Sequence, residues 1–157
     1  MPELVPPSEA YRESYTEALH ESRDEWEHLQ GEPEIPVHEI SSGQVPRTTW
    51  WLVDDGEYIG TGWMRHVDPE HLLDVGGHIG YEIRPSKRGR GYGKLILELM
   101  LEKAREAGYS SVILLCNVDN PASQKVIEAN GGVTVGERRI GRGNRTIIHL
   151  IYIIELE

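Results

Sequence analysis

The chain has 157 residues, 38% of them hydrophobic and 27% charged, and carries 26 acidic side chains against 16 Lys and Arg for a formal net charge of −10. That length fits a single domain over 1–157 with a substantial core, and the acidic balance argues against a nucleic-acid or anionic-membrane partner, which wants a basic surface. No apolar run is long enough to span a bilayer, "MPELVPPSEAYRE" lacks a signal-peptide layout, and the one cysteine, Cys116, excludes an internal disulfide framework, so the expected location is cytoplasmic.

In chain order, "SEAYRESYTEALHESRDEWEHL" (8–29) reads as an amphipathic helix. Ser8 is placed to cap it, and Tyr11, Tyr15, Leu19, Trp26 and Leu29 recur near helical spacing. Residues 30–47, rich in Gly, Pro and Ser, read as a loop. "TTWWLVDDGEYIGTGWMRHV" (48–67) is a hairpin turning at Asp55-Gly56. A turn region over 68–77 leads to a strand, "HIGYEIR" (78–84). Residues 90–107 form a helix with Leu95, Ile96, Leu99, Met100 and Ala104 on its apolar face and Gly108 as its stop. "SSVILLCNV" (110–118) reads as a buried parallel strand. "DNPASQKVIEAN" (119–130) reads as a short helix, and 133–140 and 145–156 as two closing strands around "GRGN". The order predicts a mixed α/β domain whose middle is a right-handed strand–helix–strand crossover.

Arg88-Gly89-Arg90-Gly91-Tyr92-Gly93-Lys94 lies between a strand end and a helix start. Glycines let backbone amides approach a ligand, helix N-termini favour negative charge, and the neighbouring cations add charge-assisted donors. The physical reading is a phosphate or pyrophosphate cradle. The spacing is neither a Walker A loop nor a dinucleotide-binding fingerprint.

Arg88-x-x-Gly91-x-Gly93, after a strand ending in "EIRP" and before a long helix, resembles the R-x-x-G-x-G/A acyl-CoA signature of the GNAT N-acetyltransferase superfamily. "LLCNVDNPASQKVIEANGG" resembles that family's next strand and N-x-x-S/A helix. The resemblance is closest over about 48–139. It implies a splayed mixed central sheet flanked by helices and a direct acetyl transfer from acetyl-CoA to an amine acceptor, a small molecule or a protein or peptide amine. The implied binding set is the backbone of Ile83 and Arg84 for the pantetheine arm, the amides of Arg88, Gly89, Arg90, Gly91, Tyr92, Gly93 and Lys94 for the pyrophosphate, and Asn120 and Ser123 near the thiol end. Family members often dimerise, and the apolar strand "TIIHLIYIIEL" offers an edge for a homodimer.

Glu82 is the leading candidate for the base, since the family often places a carboxylate on this strand; a salt-bridged strand glutamate is the equal alternative. His78 shares its alternation and titrates near neutrality, although its first reading is a surface histidine at a strand end. Where the family usually has an acidic tyrosine, this chain has Ile127, which leaves a non-catalytic acyl-CoA-binding module as the rival reading. Cys116, Tyr81 and Tyr92 are the other groups that fall near the implied thiol. Trp50 and Trp51 must face opposite sides of their strand. His66, His71 and His149 have no metal-ligand spacing, and no metal site is expected.

Overall fold

The computed structural model describes residues 1–28 and 46–156; the loop expected over 30–47 lies outside them apart from its last two residues. Among the described residues, seven strands and three α-helices follow in the order β1 (Glu3–Val5), α1 (Arg12–His28), β2 (Arg47–Asp54), β3 (Glu57–Arg65), β4 (Ile79–Ile83), α2 (Tyr92–Glu106), β5 (Ser111–Asn117), α3 (Pro121–Ala129), β6 (Val133–Arg142) and β7 (Arg145–Glu155). The mixed α/β class expected from the element order is the one observed.

Hydrogen bonding divides the strands into two antiparallel sheets, β1-β2-β3-β4 and β5-β7-β6. The expected parallel pairing of β5 is not formed. β5 pairs antiparallel with β7 along its whole length, and its link to the β4 side is one isolated bridge, Gly77 to Leu114. His78 makes the junction: its amide donates to the Ile113 carbonyl (2.7 Å), and its ring Nδ1 accepts from the Ile113 amide (2.8 Å). Beyond that point the two strands have no ladder between them.

Helix α2 lies against the β3–β4 face. Its buried residues are Ile96, Leu97, Met100, Leu101 and Ala104, and the expected Leu95 and Leu99 are half-buried at the margins. Gly62 makes the contact close, because a Cβ there would come within 2.7 Å of the Met100 sulfur. Gly108, with φ +93°, ends the helix, and the Tyr109 amide returns to the Ala104 carbonyl at 3.1 Å. Leu52, Met64, Leu114, Ile127, Tyr152 and Ile154 complete a core continuous across both sheets.

Helix α1 covers the other face. Ser8 accepts from the Ala10 amide at 3.2 Å, so it caps the short 3-10 turn at Glu9–Tyr11 that opens the helix. Tyr15 turns inward as the hydropathy pattern suggests, but it does so beside Ser14, Ala18 and Glu21, while Leu19 is 52% exposed; Leu29 and the Trp26 side chain lie outside the described residues. The reason is polar. A buried arginine on the sheet side takes Ser14 and Glu21 as partners.

Candidate active site

Two features frame the site: the free edge of β4 and the glycine turn that follows it. The Arg84 amide donates to Ile59 on β3 at 2.9 Å, and the Arg65 amide donates to His78 at 2.8 Å. Residues 78, 80, 82 and 84 therefore turn backbone groups to β3. Tyr81 and Ile83 turn theirs the other way, into the gap where β4 and β5 diverge. Ile83 is thus placed for an extended ligand lying along β4. Its carbonyl accepts from Arg88 Nε at 3.2 Å. Arg84 is not so placed: its amide is spent on Ile59, and its carbonyl accepts from the Lys87 amide at 3.0 Å.

Arg84 acts through its side chain, which sequence reading missed. The side chain is 5% exposed, and its guanidinium forms a close bidentate pair with Glu21. It also donates to the Tyr58 carbonyl (3.2 Å) and to Ser14 Oγ (3.3 Å). Glu21 in turn accepts from the Ser86 amide at 3.0 Å, so one carboxylate joins α1 to the loop before the glycine turn. The hydrogen bond from Arg84 holds the Glu21 carboxyl down at about 2.

In the turn, Gly89 and Gly91 adopt φ +76° and +85°, and a Cβ on either would meet no protein atom within 4 Å. Both are positions for glycine because of backbone conformation. Gly93 has a different reason: a Cβ would press on Val126 of α3 at 3.3 Å, so glycine lets the two helices approach. Gly91 is the N-cap of α2 and offers no side-chain cap, which leaves the first-turn amides of Tyr92, Gly93 and Lys94 pointing out of the helix. Arg88, Arg90 and Lys94 are exposed around them, whereas Lys87 pairs with Glu57 at 2.9 Å. The Tyr92 hydroxyl donates to Asp54 at 2.9 Å. An open cradle of amides at a helix N-terminus, ringed by cations, fits a phosphate group.

Across the gap, Asn120 caps α3 by accepting from the Ser123 amide at 3.2 Å. Ser123 Oγ meets the Tyr81 hydroxyl at 2.9 Å. Ile127, one turn on, is 1% exposed within the core.

The opposite face of β4 carries Glu82. Cross-strand register sets Trp51, Thr61 and Glu82 in one row over β2, β3 and β4. Tyr15 of α1 stacks on Trp51 (4.5 Å between centroids) and meets Tyr58 edge-on. Glu82 lines an open recess with Tyr15, Ala18, Tyr58 and Arg88. Burial, with the Glu82 charge as a secondary cause, raises the Tyr15 hydroxyl above its ordinary range. His78 is not in this recess. It packs against Tyr109 with its Nδ1 engaged by Ile113, and burial lowers its pKa. Trp50 lies on the α2 side, with Lys103 over its ring. Asp68, Glu70 and His71 bring ligand atoms within 4.8 Å of one another on one exposed turn, a grouping the sequence spacing did not suggest. Among the described residues, no helix is long and apolar enough to cross a membrane.

A family model described as the acetyltransferase (GNAT) domain matches residues 4–133. The chain belongs to the GNAT acetyltransferase family. It is an acyltransferase by that membership, and the family uses acetyl-CoA. No curated protein matches the chain. Among solved structures, the GNAT fold of this chain is similar to the Salmonella typhimurium acetyltransferase that modifies the N-terminal serine of 50S ribosomal subunit protein L7/L12 (TM-score 0.70, 16% identity, 99% of this chain and 95% of that one). It is similar to spermidine N-acetyltransferase from Vibrio cholerae, crystallised with CoA and spermine (TM-score 0.69, 15% identity, 99% and 95%). It also resembles a putative phosphinothricin N-acetyltransferase (TM-score 0.66, 19% identity, 100% and 99%). At these identities the likeness is one of fold.

Proposed function

We propose that the protein is an acetyl-CoA-dependent N-acetyltransferase that passes the acetyl group directly to an amine. The observation that carries this reading is the continuity of the cradle at Arg88–Lys94 with the free β4 edge at Ile83 and Tyr81. A phosphate held at the start of α2 sends an attached extended chain along that edge. The amides of Gly89 to Lys94 hold the pyrophosphate, with Arg88, Arg90 and Lys94 supplying charge. Ile83 offers backbone groups to the amides of the pantetheine arm, and Asn120 and Ser123 border its thiol end.

Bound there, acetyl-CoA supplies an activated acyl carbon. The chain's own work is to orient it and to manage protons. Glu82 faces the recess on the α1 side, where an amine arrives, and takes the proton the amine loses on attack, directly or through one water. His78 holds β4 to β5 through Ile113, and its engaged Nδ1 suits a structural part. The acceptors named for the similar structures, a polyamine, a peptide N-terminus and phosphinothricin, form a natural first panel.

Isothermal titration with acetyl-CoA and with CoA tests the reading, followed by thiol release from acetyl-CoA with that panel. Micromolar binding and amine-dependent thiol release are expected; equal affinity for simple nucleotides would overturn the CoA assignment. The second reading, a CoA-binding module without chemistry, is favoured by Ile127 in the core. CoA binding with no turnover on any amine, in both the native chain and Glu82→Gln, would establish it.

A further inference from the structure

Expelling a thiolate into the gap between β4 and β5 is costly unless a proton or a strong hydrogen bond meets it, since a dry cleft disfavours an unpaired anion. Ile127 can supply neither. A proton-bearing pair stands on the α3 side of this gap. Tyr81 lies opposite Gly62 on the face covered by α2, and its ring reaches α3, where its hydroxyl meets Ser123 Oγ at 2.9 Å. Ser123 stands one turn before Ile127 on the same helix. Its hydroxyl also lies against the Cys116 thiol, whose pKa burial raises. Glu82, the adjacent residue on β4, faces the other side, towards the amine's recess.

We infer that the Tyr81 hydroxyl, bridged to Ser123 across the gap, donates the proton to the departing CoA sulfur in place of a side chain at position 127. This rests on the acetyl-transfer reading above. As the nitrogen–carbon bond forms and the carbon–sulfur bond breaks, the amine's proton leaves through Glu82 on one side of β4. The sulfur receives the Tyr81 proton on the other, and Ser123 passes a proton from solvent back to the tyrosinate. Charge and protons balance without another reactant. Burial pushes the Tyr81 hydroxyl up to about 12, which keeps the proton in place before the reaction.

The test uses bound CoA and needs no acceptor. The thiolate absorbance of the CoA complex is titrated from about pH 6 to 11, with the desulfo-CoA complex as a blank for Cys116 and the tyrosines. A donor to sulfur stabilises the thiolate, so Tyr81→Phe is expected to raise the bound thiol's pKa by about one unit while the Kd for CoA stays within about twofold. Ser123→Ala is expected to shift it in the same direction by less, and it decides the matter if Tyr81→Phe does not fold. An unchanged titration in both variants would overturn the inference and leave acetyl transfer standing. A native protein that binds no CoA would overturn the acetyl-transfer reading, and this inference with it.

Discussion

Replacing Gly91 by valine separates backbone strain from steric clash. Gly91 sits at φ +85°, and a Cβ there meets nothing within 4 Å, so the variant has no collision to relieve. What remains is the left-handed conformation, which costs an L-residue about 1–2 kcal/mol, with the upper end suited to a β-branched side chain. That cost shows in one of two places. If the turn keeps its shape in the free protein, stability falls by about 2 kcal/mol, or about 4–8 °C in Tm for a domain of this size. If the turn relaxes instead, Tm is spared and the strain is restored on binding, which weakens CoA by about thirtyfold. Any occlusion of the phosphate by the new side chain adds to the second effect. Differential scanning calorimetry and isothermal titration on the same samples read both quantities, and Gly91→Ala gives the smaller version of each. A valine variant with native Tm and native CoA affinity would refute the assignment of this turn as a cradle shaped by its φ.

Four further outcomes are expected. Glu82→Gln should lower turnover by about 10²–10⁴-fold with CoA binding unchanged, as loss of a positioned base does, measured by thiol release and titration. Arg84→Met removes a buried charge from Glu21, Ser14 and the Tyr58 carbonyl, and should cost about 3 kcal/mol in urea unfolding. Glu21 is held at about 2 in the folded state, below its unfolded value near 4.3. Its contribution is therefore fully present above about pH 5 and is lost as pH falls towards 2; Glu21→Gln should flatten the stability profile in that window. His78→Leu leaves the Ile113 amide without its ring partner, and should cost about 1–3 kcal/mol in urea unfolding. Because burial lowers the His78 pKa, the unfolded chain takes up that proton first. The native protein therefore loses stability as pH falls below about 6.5, and the leucine variant should lose less.

The glycine turn and α2 were legible because each carries its signal locally: cations and glycines at a helix start, apolar residues at a 3.6 period, a glycine stop. The β2–β3 hairpin was equally plain from Asp55-Gly56. What sequence could not convey lay between elements. A run such as "VILLC" is apolar whichever strand it pairs with, so the antiparallel partnership of β5 with β7 was hidden. β1, three residues beside prolines, had no period to show. Leu19 looked inward by hydropathy, but the partner awaiting α1 was the guanidinium of Arg84, and a helix that must answer a buried charge turns Ser14 and Glu21 to the sheet. The Tyr81–Ser123 contact joins residues 42 apart in sequence and follows only from the fold.

The gap between β4 and β5 also sets how firmly the two sheets hold to one another. Each presents an unfinished row of amides and carbonyls to the other, clasped near one end by His78 and Ile113. A guest whose own amides bond into the open row acts as a temporary rung between two halves of the molecule. Amide hydrogen exchange at Tyr81 and Ile83, fast in a row open to water, should slow when the rung is in place, while Glu82, already bonded to β3, should change little. The alternation of neighbouring residues would then report occupancy directly from the backbone, without knowledge of the acceptor.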